Sequence, residues 1–396
     1  MDTFVDSSWY FMRFPDATNE LEPFSQRSAA DMLPVDTYVG GVEHAILHLL
    51  YARFVYKFLC SERLVSSDNG HAEPFQQLIA QGMVHGKTFS DPDSGRFLLP
   101  GEVDFDGEEA RIKASGKAPN VTWEKMSKSK HNGVDPSIAI AKFGADALRA
   151  HILFAAPVSE VLQWDEEKIV GIQRWFSRVH RLVSELSSQV QVDVSQVSIP
   201  ELSDLSTNDG NALLLTESTS KSISQTFSSD IYRLNTAVSD LIKLTNGLEG
   251  IGINNLTSSV AYVTVTALLK MMAPITPAFA EECWERLVPD TVRKSIFDES
   301  WPGDIITPEQ EAALQSRQTT ITCAVQVNGK LRFTAQVPSD SSGGKAGSDL
   351  AAREAEIIRA VLGTDEGRMW LTEKNNWEKK KRVVVVGGGK VLNVVF

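Results

Sequence analysis

The chain has 396 residues, 42% of them hydrophobic and including 18 Phe and 8 Trp, which excludes a disordered protein and suggests two or three domains. Its net charge of −12 excludes a global basic field that would attract nucleic acid. The charge is uneven, however, because residues 318–396 contain 12 Lys and Arg against 8 Asp and Glu and are therefore mildly basic.

The three cysteines, Cys60, Cys283 and Cys323, lie far apart in the sequence, which excludes a disulfide framework and any recognisable zinc knuckle. A reducing compartment is therefore expected, either the cytosol or an organelle matrix. No apolar stretch reaches transmembrane length, and the first residues resemble neither a signal peptide nor an arginine-rich transit peptide. Neither a membrane nor DNA is an expected partner.

The N-terminal part of the chain combines aromatic and glycine-rich segments. Residues 4–14 are rich in aromatic side chains and predict a strand followed by a loop. Gly40 and Gly41 precede a helix predicted over residues 42–59. A glycine pair entering a helix lets backbone N–H groups approach a ligand. The apolar residues that recur at helical spacing in this segment are Ile46, Leu49, Leu50, Phe54 and Phe58.

A short strand and a surface loop are predicted next. Residues 78–85 contain Gly82 inside an apolar segment and predict a strand that leads into a loop. Residues 90–120 are polar and rich in Gly and Pro, which is typical of a surface excursion.

A lysine-rich loop follows, and we call Lys125-Met126-Ser127-Lys128-Ser129 the lysine loop. It alternates two lysines and two hydroxyls around a methionine, and Lys130 adds a third ammonium. Such compact charges and donors suit a polyphosphate. Short Lys and Ser runs are common in plain solvated loops, so the chemistry alone leaves both interpretations open.

Helical patterns fill the middle of the chain. Asp135 followed by Pro136 is typical of a helix N-terminus, and this helix is predicted to run to about Phe154. Asp165 begins another helix, and residues 187–209 form a connector with little predicted structure. The apolar stripe of that helix comprises Ile169, Ile172, Phe176, Val179, Val183 and Leu186. Further amphipathic segments that complete a helical bundle are 231–248, 258–272 and 277–287.

The periodicity changes after a linker predicted over residues 289–307. Asn328-Gly329 lies between two alternating segments and is a strong β-hairpin signal. The tail is therefore predicted to be a small α/β domain. Its predicted strands are 321–326, 330–337, 383–386 and 391–396, and its predicted helix is 349–362.

His44 and His48 are four residues apart and are expected to share one helical face. Zinc hydrolases of the His-Glu-x-x-His type carry the glutamate after the first histidine, whereas here Glu43 precedes it. The residues alone leave three interpretations open, namely packed or hydrogen-bonded histidines, a small-molecule pocket, and a metal site. No third ligand can be named, and we therefore predict no metal site.

Four segments, in this order, resemble leucyl-tRNA synthetases of the bacterial and mitochondrial type, which belong to class I. They are Asp2 to Phe11, Gly40 to Tyr51, Lys125 to Pro136, and Val325 to Arg332. The resemblance implies a multidomain fold with a partial α/β Rossmann-like catalytic half, an all-α bundle and a small α/β domain. The implied domains are 1–134 with the signature loop, 135–300 with stem helices and an anticodon-binding bundle, and 318–396 for tRNA binding.

The resemblance also implies a function, which is ATP-dependent formation of leucyl-adenylate and transfer of leucine to tRNA-Leu, with Mg²⁺ bound to the substrate phosphates. Lys128, supported by Lys125, would be catalytic by steadying ATP phosphates. The implied ATP-binding residues are Gly40, Gly41, Glu43, Met83, Val84, Lys125, Met126, Ser127, Lys128 and Ser129. The implied leucine-binding residues are Phe4, Ser7, Tyr10, His44 and His48. In chemical terms an apolar, aromatic wall suits an isobutyl group, and a buried carboxylate beside a tight backbone suits two ribose hydroxyls.

A run of four basic residues precedes the penultimate predicted strand. It comprises Lys379, Lys380, Lys381 and Arg382. A solvated turn and a contact with tRNA phosphates both fit this run, and the resemblance implies the second.

The second signature of class I synthetases, His-Ile-Gly-His or a variant, is absent from this sequence. The resemblance therefore implies that the first part of the nucleotide-binding fold and the editing domain are missing, and that Met1 corresponds to an internal methionine. We expect the chain to be inactive alone and to need its missing N-terminal half if the enzyme is split. The alternative functions are a non-catalytic tRNA-binding module and, more remotely, a metal hydrolase. The mitochondrial matrix is the expected location, with the cytoplasm as the alternative.

Overall fold

The computed structural model describes residues 4–65, 72–105, 109–189, 197–228, 232–288, 294–317, 320–338 and 350–396. Asp2, Thr3 and parts of the predicted connector and linker therefore lie outside the described residues. The chain forms two compact units. The first comprises Met1–Gln191, Thr219–Gly250 and Val265–Gly303, and the second Val192–Ser218, Ile251–Thr264 and Asp304–Phe396. Within the described ranges, no helix has both the length and the apolar character needed to span a membrane.

In its described residues, the first unit contains three small sheets. Strands β1 (Val35–Gly41) and β2 (Phe75–Gln81) form a parallel pair, in which Gly40 lies opposite Ala80 and Gly41 opposite Gln81. A second sheet has the order β6-β3-β7, with β3 antiparallel to β6. A two-stranded antiparallel sheet joins β4 to β5. The remaining strands are β3 (Val84–Ser90), β4 (Val103–Asp104), β5 (Arg111–Ile112), β6 (Asn120–Lys125) and β7 (Leu162–Gln163).

The prediction of a strand over residues 4–14 is wrong. Two one-turn helices occupy this segment, α1 (Phe4–Ser7) and α2 (Tyr10–Arg13), and α3 (Gln26–Met32) follows. The aromatic composition favoured a strand, but single turns are too short to show a helical period, and tertiary packing decides their conformation. Phe11 and Met12 of α2 are buried in the core of this region.

The predicted helix over 42–59 begins later than expected. A short 3₁₀ turn covers Val42–His44, and α4 runs over His48–Ser61. His44 and His48 are therefore not on one continuous helix. The predicted apolar stripe is largely on the outside, because the core takes Ala52 and Tyr56 instead. The stripe residues with exposed fractions between 55% and 79% are Ile46, Leu50, Phe54 and Phe58.

The single helix predicted from Asp135 to Phe154 is in fact two. Gly144, with φ of 85°, separates α5 (Pro136–Phe143) from α6 (Ala145–Ala155), since this backbone conformation interrupts a helix and favours glycine. The predicted N-cap is confirmed, because the Asp135 carboxylate accepts a hydrogen bond of 2.7 Å from the Ser137 N–H.

The helical bundle is confirmed. The predicted stripe of α7 (Glu166–Gln189) is buried except for Phe176, which stacks on Phe279 with ring centroids 4.4 Å apart. Among the described helices after α7, α8 (Thr207–Ser228) and α12 (Pro308–Arg317) were not predicted, because neither shows a strong apolar period. The predicted ones are α9 (Leu234–Ile251), α10 (Ser258–Met272) and α11 (Pro277–Leu287).

The second unit contains a four-stranded sheet with the order β10-β11-β8-β9. Asn328 and Gly329 have φ of 52° and 77° and connect β8 to β9, which confirms the predicted hairpin. The strands are β8 (Thr320–Val327), β9 (Lys330–Pro338), β10 (Arg382–Val386) and β11 (Val391–Val395), with helix α13 (Leu350–Gly363). The predicted fold class, α/β followed by an all-α bundle and a small α/β region, is confirmed.

Candidate active site

A cavity of about 620 Å³ lies at the carboxyl ends of the parallel strands β1 and β2. Ligands of open parallel sheets bind at this end of the strands. Leu49 of α4 and Leu78 of β2 add apolar walls. The cavity lining includes seven residues singled out in the sequence, namely Phe4, Ser7, Tyr10, Gly40, Gly41, His44 and His48.

Tyr38, on β1, also lines this cavity and was missed by the sequence reasoning. Its hydroxyl is 2.5 Å from the Tyr10 hydroxyl and 2.7 Å from His48 Nε2. Its ring stacks on Phe75 with centroids 4.0 Å apart, which fixes its position. The sequence could have indicated Tyr38, because it lies two residues before Gly40 and alternate residues of a strand share one face.

The surroundings of His48 favour its neutral imidazole. Burial, with the neighbouring His44 as a smaller cause, lowers the pKa of His48 below its ordinary value. The Tyr38 hydroxyl and His48 Nε2 share a hydrogen bond, and burial raises the pKa of Tyr38, so that its phenol stays protonated. This wall of the cavity is therefore aromatic and uncharged.

A metal site at the two histidines lacks further ligands. Across the part of the chain that the structure describes, no group of three or more His, Cys, Asp or Glu could hold a metal ion. His44 and His48 instead line the cavity together with the aromatic rings. Their geometry therefore fits the small-molecule pocket better than the metal-site interpretation.

The glycine end of β1 carries a carboxylate. A Cβ built on Gly41 would lie 2.2 Å from Glu43 Oε2, so the absence of a side chain there makes room for this group. The expectation of a buried carboxylate is wrong, because Glu43 lies on an exposed 3₁₀ turn. Its own backbone N–H and, to a smaller extent, the Lys125 ammonium lower the pKa of the Glu43 carboxyl.

Met83 and Val84 connect β2 to the lysine loop. The Met83 carbonyl accepts a hydrogen bond of 3.0 Å from the Leu162 N–H, and the Val84 carbonyl accepts one of 3.1 Å from the Met126 N–H. The predicted adenine-side residues and the lysine loop are thus neighbours along β3. Their backbone lies next to the carboxyl end of β2, where the cavity opens.

The lysines of this region differ in their partners. Lys125 Nζ lies 3.4 Å from Glu43, and Lys130 forms an ion pair with Glu124. Lys128 is exposed at the start of a 3₁₀ turn, and no ion pair joins it to any residue in the described ranges. Its ammonium is therefore available to an added anion.

The basic run lies in the second unit, at the entry to β10. Lys380 lies over the Trp377 ring, with Nζ 4.5 Å from its centroid, while the Lys381 N–H donates to the Val395 carbonyl at 2.8 Å. Lys379, Lys381 and Arg382 are exposed. Three charged side chains are therefore exposed to solvent at the start of the edge strand β10.

Two family models match the chain. The model described as the anticodon-binding domain of tRNA ligase matches residues 209–346. The model described as tRNA synthetases class I (I, L, M and V) matches residues 120–165, which include the lysine loop.

Curated relatives match nearly the whole chain. The mitochondrial leucine–tRNA ligase of Saccharomyces paradoxus is 40% identical over 386 residues, which cover 94% of this chain and 40% of the relative. The leucine–tRNA ligase of Synechococcus sp. strain CC9605 is 38% identical over 396 residues, which cover 100% of this chain and 41% of the relative. The chain therefore spans about two fifths of the length of the curated relatives it matches.

A solved structure agrees with these relatives. The LeuRS of Agrobacterium radiobacter K84, crystallised as a ternary complex with tRNA and LeuAMS, matches with a TM-score of 0.60 and 27% identity. The match covers 100% of this chain and 41% of that chain.

Proposed function

We propose that this chain, which is homologous to leucine–tRNA ligases over 94–100% of its length, supplies the lysine-loop side of such an enzyme's active site. These relatives confirm the family resemblance that the four sequence segments predicted. The activity itself is our proposal, because the chain spans only about two fifths of its relatives.

The reaction joins leucine to tRNA in two steps. A carboxylate oxygen of leucine attacks the α-phosphorus of ATP, the bond to the bridging oxygen breaks, and pyrophosphate leaves. A ribose hydroxyl at the 3′ end of tRNA then attacks the leucyl carbonyl, and AMP leaves. Since charge develops on the departing pyrophosphate, fixed ammonium groups beside it lower the barrier of the first step.

The cavity supports a role in leucine binding. Its aromatic and aliphatic wall suits an isobutyl side chain, and its polar groups are few. Tyr38 and the favoured neutral form of His48 supply hydrogen-bonding atoms without a charge. The observation that carries the proposal is the convergence of all five candidate leucine-binding residues on this one cavity.

The lysine loop supports a role in ATP binding. Exposed Lys128 would contact the leaving phosphates, with Lys125 in support, while Glu43 would accept ribose hydroxyls beside Gly41. Met83 and Val84 would border the adenine. Mg²⁺ would arrive with the substrate phosphates.

If the enzyme is split, its further partner would be an N-terminal half. The exposed apolar face of α4 supports this proposal, because monomers rarely leave such side chains together in solvent. In the described residues, moreover, strands β1 and β2 pair only with each other. About three fifths of the length of the curated relatives lies outside the match. A polypeptide corresponding to that part would cover the exposed face of α4.

A non-catalytic tRNA-binding module remains the alternative function. The match of an anticodon-binding model to residues 209–346 favours it, as does the basic run of the second unit. The mitochondrial relatives support a mitochondrial matrix location, and the Synechococcus relative supports the cytoplasmic alternative.

Reconstitution tests the proposal. The chain is mixed with the part of the Saccharomyces paradoxus mitochondrial relative that it does not cover, and leucine-dependent ATP–pyrophosphate exchange is measured. We expect exchange from the mixture and none from either part alone. Salt-sensitive tRNA binding by the chain, without exchange in any mixture, would contradict the ligase and favour the binding module.

A further inference from the structure

The side chain of Asn132 is buried and holds the lysine loop by hydrogen bonds. Asn132 is 7% exposed, and its Oδ1 accepts a hydrogen bond of 2.9 Å from the Ser127 N–H. Its Nδ2 donates to Thr88 Oγ1 at 2.7 Å and to the carbonyls of Glu124 and Lys125 at 3.2 and 3.3 Å. One amide group thus joins the end of β6 to the residue just before Lys128.

Strand β3 is shaped to receive this residue. Thr88 is 1% exposed, and its hydroxyl donates to the Gly86 carbonyl at 2.9 Å, so its oxygen is fixed as the acceptor for Asn132. A Cβ on Gly86 would lie 2.2 Å from the Asn132 carbonyl oxygen. The backbone of Asn132 therefore packs directly against β3, where any side chain at position 86 would prevent it.

These bonds determine the conformation of the loop. Ser127 is extended, with φ of −153° and ψ of 153°, and the 3₁₀ turn Lys128–Lys130 follows at once. His131 then adopts φ of 53°, which returns the chain to Asn132. The Ser127 N–H is hydrogen-bonded just before the turn, and Asn132 packs against β3 just after it. The turn that carries Lys128 is therefore fixed at both ends.

We propose that Asn132 is a positioning residue, which holds Lys128 in the orientation that receives a polyphosphate. The proposal rests on the proposed function only for the identity of that ligand. A flexible loop would have to be ordered when the anion binds, whereas a loop held by Asn132 is already ordered. A buried amide that makes its bonds to the loop, β3 and β6 has no need to touch the nucleotide itself.

Backbone hydrogen exchange on the full chain tests the positioning. The variants are Asn132→Ala, Thr88→Val, which has the same shape without the hydroxyl, and the conservative Thr88→Ser. We expect the Ser127 amide to exchange about tenfold faster or more in the first two, as loss of one buried hydrogen bond implies, and at the original rate in Thr88→Ser. Unchanged exchange at Ser127 in Asn132→Ala would overturn the proposal.

Kinetics of the reconstituted enzyme separate positioning from a general loss of structure. For Asn132→Ala we expect kcat/KM for ATP to fall about tenfold while KM for leucine stays the same, because only the lysine loop changes. An equal loss for both substrates, or none for ATP, would overturn the proposal. If the wild-type mixture shows no exchange, the proposed function fails, while hydrogen exchange still decides the role of Asn132.

Discussion

Glu43 Oε1 lies 3.4 Å from Lys125 Nζ, although the two residues are 82 positions apart in the sequence. The contact joins the glycine end of β1 to the end of β6 and therefore brings together two segments that were each assigned to nucleotide binding. Both side chains are half exposed, so the pair is accessible to an incoming ligand. ATP could thus replace the contact by bonding its ribose to one group and its phosphates to the other.

Replacing Glu43 is expected to affect nucleotide binding but not stability. In Glu43→Ala the ribose loses its acceptor, so KM for ATP should rise roughly tenfold in the exchange assay. The thermal midpoint should not change, since exposed ion pairs contribute little to stability. A lower thermal midpoint with an unchanged KM for ATP would instead show that the Glu43–Lys125 ion pair stabilises the fold and does not bind the nucleotide.

Replacing Tyr38 tests the polar atoms of the cavity that we propose for leucine. Tyr38→Phe keeps the stack on Phe75 but removes the hydroxyl between Tyr10 and His48. We expect KM for leucine to rise about five- to tenfold, as for the loss of one hydrogen bond, with KM for ATP unchanged. Steady-state exchange measured at varied leucine concentrations checks this expectation. An unchanged KM for leucine would show that the Tyr38 hydroxyl does not contribute to leucine binding.

Asp209 is expected to stabilise the second unit. Only 1% exposed, it accepts hydrogen bonds from the N–H and hydroxyl of Ser206 and of Thr257, at 2.7 to 3.0 Å. Asp209→Ala should lower the free energy of unfolding by about 2–3 kcal/mol at pH 7, since buried donors lose a charged acceptor. Urea unfolding measures this, with the exposed Glu201→Ala as a control that should have no effect.

The same carboxylate predicts a pH dependence. Burial would raise the pKa of Asp209, but the hydrogen bonds from Ser206 and Thr257 outweigh burial and lower it below the ordinary value of 3.8. The folded state therefore binds this proton less readily than the unfolded state, so the stabilisation is present above about pH 4 and is lost as the pH falls further. The difference between wild type and Asp209→Ala should shrink in acid, and a constant difference would contradict this origin.

The basic run is expected to contribute salt-sensitive tRNA binding. The double variant Lys381→Gln and Arg382→Gln should weaken tRNA binding at low salt and reduce the slope of log K against log salt by roughly 0.7–0.9 for each lost phosphate contact. Lys113→Gln, which removes one charge from an exposed lysine of the first unit, serves as the control. An identical slope for the double variant and the control would place the tRNA contact elsewhere.

The sequence grouped the candidate residues that line one cavity, because each lies in a segment whose order and chemistry resemble one family, whatever its secondary structure. Several elements around them could not be predicted in the same way. Strand β1 was not predicted, since Val35–Gly41 contains two glycines and an aspartate that suppress a strand signal. Tyr38 was missed with it, because a residue's role in a wall depends on which strand face it occupies.

The α4 helix shows a second limit of sequence patterns. Its apolar period is genuine, yet a period gives only a face and not the element that covers it. Here Ala52 and Tyr56 face the core, while Leu50, Phe54 and Phe58 face outwards. The contradiction between pattern and burial disappears if another polypeptide covers that face, as we propose.

The most direct test of the central claim is leucine-dependent ATP–pyrophosphate exchange by the reconstituted enzyme with Lys128→Ala. Lys128 is exposed and has no ion-pair partner in the described ranges, so the substitution should leave folding intact. We predict a loss of exchange of at least about a hundredfold, as for other groups that stabilise transition-state charge, with Lys113→Ala unaffected. Wild-type exchange rates in the Lys128→Ala enzyme would contradict the account.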